Sequence, residues 1–106
     1  MHVTSLSLNN YRNYEYLDLD FSKNINILYG DNAQGKTNIL EAIYVASTTK
    51  SHKMARDKEL IRFGCDEAHI RLNVSKHDIN SKIDMHLRKG KSKIVSIDGI
   101  SIRRSS

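Results

Sequence analysis

Apolar residues recur along this chain with two different periods, and the periods divide it. Near the start the spacing is two. In residues 2–8, Thr4, Leu6 and Leu8 share one face of an expected strand. In residues 14–21, Leu17, Leu19 and Phe21 alternate with Tyr16, Asp18 and Asp20, as in a half-exposed strand antiparallel to the first. Asn9-Asn10-Tyr11-Arg12-Asn13 reads as a polar break between them. Asn24-Ile25-Asn26-Ile27-Leu28-Tyr29 is mostly apolar and suits a buried strand. The period then becomes helical. Ile39, Ala42, Ile43 and Ala46 share a face, which Leu40 and Tyr44 are expected to widen, with Tyr44 in the core. Residues 47–56 are polar, basic and without period, hence a loop. Asp57 to Phe63 reads as a short helix, with Asp57 as cap and Gly64 as stop. Period two returns with Ile70, Leu72 and Val74, then Ile83, Met85 and Leu87, then Val95 and Ile97. Gly90 marks a turn, and Asp98-Gly99 before Ile100 is a hairpin signal.

The strand and the helix are joined by Gly30-Asp31-Asn32-Ala33-Gln34-Gly35-Lys36-Thr37, which fits the phosphate-loop pattern G-x-x-x-x-G-K-[ST]. Such a loop turns successive backbone N–H groups inward on a polyphosphate. Gly30 and Gly35 permit the close approach. Lys36 reaches β- and γ-phosphates as a point charge, and Thr37 offers a hydroxyl to Mg²⁺. Asp31, Asn32, Ala33 and Gln34 contribute mainly backbone donors. Asn38 opens the helix, either touching the nucleotide or simply serving the first turn. The helix N-terminus adds its own N–H groups and positive dipole end.

The 106 residues suffice for one small domain and carry a formal charge of +5. From Lys82 to Arg104, seven Lys and Arg stand against two Asp, so this stretch carries the whole excess. A polyanionic partner and lysine-guarded strand edges both explain it. No apolar run approaches the roughly 20 residues of a membrane helix, and the first residues lack a secretion signal. The single cysteine, Cys65, suits a reducing cytosol. The five histidines show no metal-ligand spacing.

The segments Leu8-Asn9-Asn10-Tyr11-Arg12-Asn13-Tyr14, residues 26–43, Lys50-Ser51-His52 and Asp57-Lys58-Glu59-Leu60-Ile61 together resemble the RecF family, in the SMC-like branch of the ABC ATPases. The resemblance covers essentially the whole chain. It implies an α/β fold: the N-terminal half of a P-loop NTPase head, with strands, phosphate loop and helix followed by an antiparallel β meander. Residues 1–106 then form one partial domain, 1–48 the nucleotide-binding core and 49–106 the basic loop and antiparallel strands.

The resemblance also implies ATP and Mg²⁺ as cofactors and a cytoplasmic DNA replication and repair function. The family binds DNA at single-strand/double-strand junctions, forms an ATP-dependent homodimer, and loads recombinase with RecO and RecR. It places Arg12 and Asn13 near the nucleotide; a solvated turn is the alternative, and Tyr11 and Tyr14 read as packing residues. Lys50, Lys53 and Arg56, among hydroxyl residues, suit phosphate contacts or a solvated charge run. The chain lacks an apolar run ending in Asp-Glu and a Leu-Ser-Gly-Gly-type signature, and its only glutamine is Gln34. It therefore reads as an N-terminal fragment that binds ATP without turning it over. A metabolite kinase is the rival class, opposed by strands that follow the helix as hairpins. A non-catalytic ATP sensor is the third reading.

Overall fold

The computed structural model describes residues 2–21, 33–48 and 57–102. Six strands make one antiparallel sheet in the order β2-β1-β3-β4-β5-β6. They are β1 (His2–Tyr11), β2 (Tyr14–Asp20), β3 (Glu67–Lys76), β4 (Ile79–Arg88), β5 (Ile94–Ile97) and β6 (Ile100–Ile102). Helices α1 (Ala33–Thr48) and α2 (Asp57–Leu60) complete the described fold. This is the expected arrangement of a helix followed by an antiparallel meander.

Alternation puts one face of the sheet in the core. Leu19, Leu6, Leu72, Ile83 and Ile97 stand opposite one another across five strands. Leu17, Leu8, Ile70, Met85, Val95 and Ile102 form a second row across six. Leu6, Leu8, Ile70, Leu72, Met85 and Leu87 are essentially inaccessible to water. Helix α1 covers this face through Ile39, Ala42, Val45 and Ala46, all buried. Each large buried aliphatic contributes roughly 1.5–3 kcal/mol.

Several boundaries differ from expectation. Strand β1 runs to Tyr11, because Asn9 pairs with Tyr16 and His69, and Tyr11 pairs with Tyr14 and bridges Ile61. The polar break shrinks to Arg12 and Asn13. Helix α1 starts at Ala33, so Ala33, Gln34, Gly35 and Lys36 have helical backbone and Asn38 lies inside the helix. Ala, Gln and Lys are good helix formers, and an N-terminus that gathers phosphate leaves its first N–H groups to the ligand. Leu40 and Tyr44 are each 50% exposed, against the expected core position of Tyr44. The helix carries apolar residues on two sides, and the sheet takes the side bearing Val45. Helix α2 stops at Leu60 instead of Phe63, because Ile61 leaves it for the bridge to Tyr11.

The turns follow backbone chemistry. Asp98 and Gly99 both take positive φ, 53° and 85°, as a type I′ hairpin requires. His77 and Asp78 do the same at 51° and 65°, without the Asn-Gly type of signal that reveals such a turn in sequence. Arg88 Nε and Nη2 donate to the Ser92 carbonyl at 3.0 and 2.7 Å and tie the β4–β5 turn. The strand expected at 24–29, Gly30, Asp31, Asn32, Lys50, Lys53 and Arg56 lie outside the described residues.

Candidate functional site

The site is built where the end of β1 meets α1. Arg12 sits in the turn after β1 with φ of +53°, a conformation that side chains other than Gly, Asn and Asp rarely take. A left-handed non-glycine residue costs on the order of 1–3 kcal/mol and persists only where its surroundings hold it. Here they do. The Arg12 N–H donates to the Leu60 carbonyl at 2.8 Å, and the Arg62 N–H donates to the Asn10 carbonyl at 2.8 Å. These bonds clamp the turn onto the α2–β3 segment.

The side chains then reach the helix. Arg12 donates from Nε to Glu41 Oε1 at 3.0 Å and from Nη2 to Glu41 Oε2 at 2.7 Å. Tyr11, fully buried, donates its hydroxyl to Glu41 Oε1 at 2.6 Å. Burial first, then the Glu41 hydrogen bond, pushes the Tyr11 phenol well above its usual range. The Glu41 hydrogen bond likewise raises the Arg12 guanidinium, against a smaller opposing effect of burial. The pair is a charge-assisted fork between β1 and α1. One turn towards the start of the helix, buried Asn38 donates from Nδ2 to Asn13 Oδ1 at 3.1 Å. Asn38 thus fixes Asn13.

Arg12, Asn13 and Asn38 form one wall of an open cleft of about 930 Å³. The other wall comes from Glu59, Ile61, Arg62, Phe63, Gly64, Cys65 and Lys89. Phe63 is 99% exposed, at a turn closed by the Cys65 N–H on the Arg62 carbonyl at 2.9 Å, with Gly64 at φ of +88°. Arg12, Arg62 and Lys89 bring three cations against the single carboxylate of Glu59. Thr37 is exposed on the early part of α1. The side chains of Ala33, Gln34, Gly35 and Lys36, like the whole of Gly30, Asp31 and Asn32, lie outside what the structure describes. Of the site residues read from sequence, the fold brings Arg12, Asn13 and Asn38 into contact. Sequence reasoning missed Glu41, Arg62 and Phe63, and read Lys89 only as part of the basic C-terminal stretch. For Glu41 the available signal was a carboxylate on the helix that carries the phosphate-loop sequence. An exposed aromatic before a glycine was the signal for Phe63.

A second depression lies on the open face of the sheet. His69 and His86 stack there with ring centroids 4.1 Å apart, beside Tyr16 and the Arg71–Asp84 pair. Among the described residues, none of the sequence-predicted site residues lines it. Among the described residues no group of His, Cys, Asp and Glu is arranged to hold a metal ion.

Known proteins bear on this geometry. The sequence model of the AAA domain family matches residues 5–106. The DNA replication and repair protein RecF of Lachnospira eligens is 55% identical over 105 residues, which are 99% of this chain and 29% of that protein. The chain thus spans under a third of the length of the curated relatives it matches. A structure described as the recombination mediator protein RecF-ATPrS in the RecFOR pathway superposes with a TM-score of 0.81 at 25% identity, over 97% of this chain and 28% of the other. An SMC ATPase, described in terms of ATP-driven dimerization, superposes with a TM-score of 0.80 at 21% identity, over 97% and 73% of the two chains, and shares the fold. The described architecture is therefore that of part of an ATPase head of the kind found in RecF and SMC proteins, and the chain, similar to RecF proteins over its whole length, belongs to the AAA domain family.

Proposed function

We propose that this chain is the nucleotide-binding part of an ATP-dependent DNA replication and repair protein. The observation that carries the reading is the cleft beside α1, walled by Arg12, Asn13 and Asn38 at the helix that bears the phosphate-loop sequence. Its chemistry fits a nucleotide: Arg62 and Lys89 with Arg12, whose charge Glu41 shares, beside the Glu59 carboxylate, two amide side chains, and an exposed aromatic ring at the rim. The fork from Arg12 to Glu41 holds the cleft wall against the helix whose N-terminus favours phosphate. In this reading Lys36 and the backbone of 30–35 hold the triphosphate, Thr37 contributes a hydroxyl to Mg²⁺, and Arg12 and Asn13 approach the nucleotide from β1. Bound Mg²⁺ neutralises phosphate charge. The RecF relative described with ATPrS supports the choice of ATP.

Residues 1–48 then form the nucleotide-binding core and 49–106 the basic loop and antiparallel strands. We further propose a DNA role at single-strand/double-strand junctions with RecO and RecR, and ATP-dependent dimerisation in a cytoplasmic setting; the likeness to RecF supports this reading. The basic residues Lys50, Lys53, Arg56, Lys89, Lys91 and Lys93 supply candidates for phosphate contact. Retention of a gapped duplex with and without Mg·ATP, measured across salt concentrations, tests this. Each true duplex phosphate contact removed by a Lys→Ala change lowers the log–log salt slope by about 0.9. ATP-independent retention with an unaltered slope would return these lysines to the solvated surface.

A further inference from the structure

Glu41 belongs to no phosphate-loop pattern, yet three of the shortest side-chain bonds of the corner converge on it. We infer that Glu41 is a positioning residue, which with Tyr11 holds the Arg12 guanidinium so that its remaining N–H groups serve an anionic ligand in the cleft. This rests on the nucleotide reading above and deepens it.

A guanidinium has five N–H donors in a rigid planar fork. Nε and one hydrogen of Nη2 go to Glu41. The two bonds to Glu41 fix the plane of the group, and Arg12 still lines the cleft with its side chain 32% exposed. A lone arginine on a turn would lose side-chain freedom each time it met a ligand. Glu41 removes that freedom beforehand, and the Tyr11 hydroxyl does the same for Glu41. The backbone agrees, since Arg12 is held at positive φ by bonds to Leu60 and beside Arg62. Two elements 29 residues apart in sequence thereby share one rigid corner.

The test is a double-mutant cycle on the full chain, read by titration with a fluorescent ATP analogue and Mg²⁺, with thermal unfolding of each variant alongside. Glu41→Gln should weaken binding roughly tenfold, the size of one impaired charge-assisted contact. Arg12→Gln should weaken it similarly, and the double variant should be no weaker than Arg12→Gln alone. That non-additivity separates positioning from mere loss of stability, which would leave the two losses independent. Tyr11→Phe, which keeps the ring in the core, should give a smaller loss in the same direction. Unchanged affinity in Glu41→Gln, with Lys36→Ala still impaired, overturns the inference and leaves the nucleotide reading standing. Tighter binding in Glu41→Gln also overturns it, because Glu41 would then be masking Arg12. Indifference to both Lys36→Ala and Glu41→Gln overturns the nucleotide reading itself and the inference with it.

Discussion

Two arginine–carboxylate pairs in this molecule have the same 2.7 Å contact and different settings. Arg71 and Asp84 face each other across β3 and β4 on the open side of the sheet, with side chains 55% and 34% exposed. Arg12 and Glu41 join the end of β1 to α1, at 32% and 24% exposed, with buried Tyr11 as a third member. The first pair sits in water, costs side-chain entropy to hold, and is worth on the order of 0–1 kcal/mol. The second is bidentate, partly dry and anchored on strained backbone, so it fixes geometry. The open face is ordinary sheet surface, and the corner is built to hold groups in place.

The largest effect expected lies in the core that both regions share. Leu72, fully buried at the centre of a cross-strand row, should cost about 2–5 kcal/mol when changed to Ala. Urea unfolding measures this, and a loss confined to a few tenths would mean that the sheet is not the folding unit. Next comes ligand binding. Lys36→Ala should weaken ATP binding about ten- to a hundredfold, the loss of one charge-assisted phosphate contact, while Arg71→Ala should leave it alone.

Stability then separates the two pairs. Glu41→Ala leaves the Tyr11 hydroxyl and Arg12 unpaired in a partly buried corner and should cost about 1–3 kcal/mol. Asp84→Ala on the open face should cost under about 1 kcal/mol. Equal losses in thermal unfolding would erase the distinction drawn between the regions.

Smaller effects appear with pH, in opposite directions. The Tyr11 phenol is raised in the folded state, chiefly by burial. Its contribution is fully present below the ordinary phenol value of 10.0 and falls as pH rises past it, because the unfolded chain releases a proton that the folded chain keeps. Tyr11→Phe should flatten that alkaline decline. On the open face, burial and the neighbouring His86 lower the His69 imidazole. Stability should fall as pH drops through 6.5, where the unfolded chain takes up a proton that folded His69 resists. His69→Gln should flatten that acidic decline, and an unaltered slope would remove His69 as its source.

The strands were legible because alternation survives in every one of them, and a half-buried antiparallel sheet demands alternation. The helix was legible in kind and in the buried face carrying Ile39, Ala42, Ile43 and Ala46, but not in the width of that face. Leu40 with Tyr44 and Val45 offer apolar surface on different sides, and only packing against β3 and β4 decides between them. Of the site, the phosphate-loop sequence could be read from residue types and spacing, while Arg12 and Asn13 were pointed to only by the family resemblance. Glu41, Arg62, Phe63 and the cleft position of Lys89 could not. Arg62 and Phe63 reach the cleft through the Tyr11–Ile61 bridge and the clamp between Asn10 and Arg62, Lys89 is held by its N–H on the Asp66 carbonyl, and Glu41 meets Arg12 from α1; all are long-range pairings without a local signature.

The central claim is that the nucleotide is held at the corner between β1 and α1. Backbone hydrogen exchange with and without Mg·ATP tests it at each segment. The account predicts slowed exchange in residues 10–13 and 61–65 on adding ATP, with residues 94–102 unchanged. Absent protection at the corner, or protection confined to β5 and β6, would contradict it.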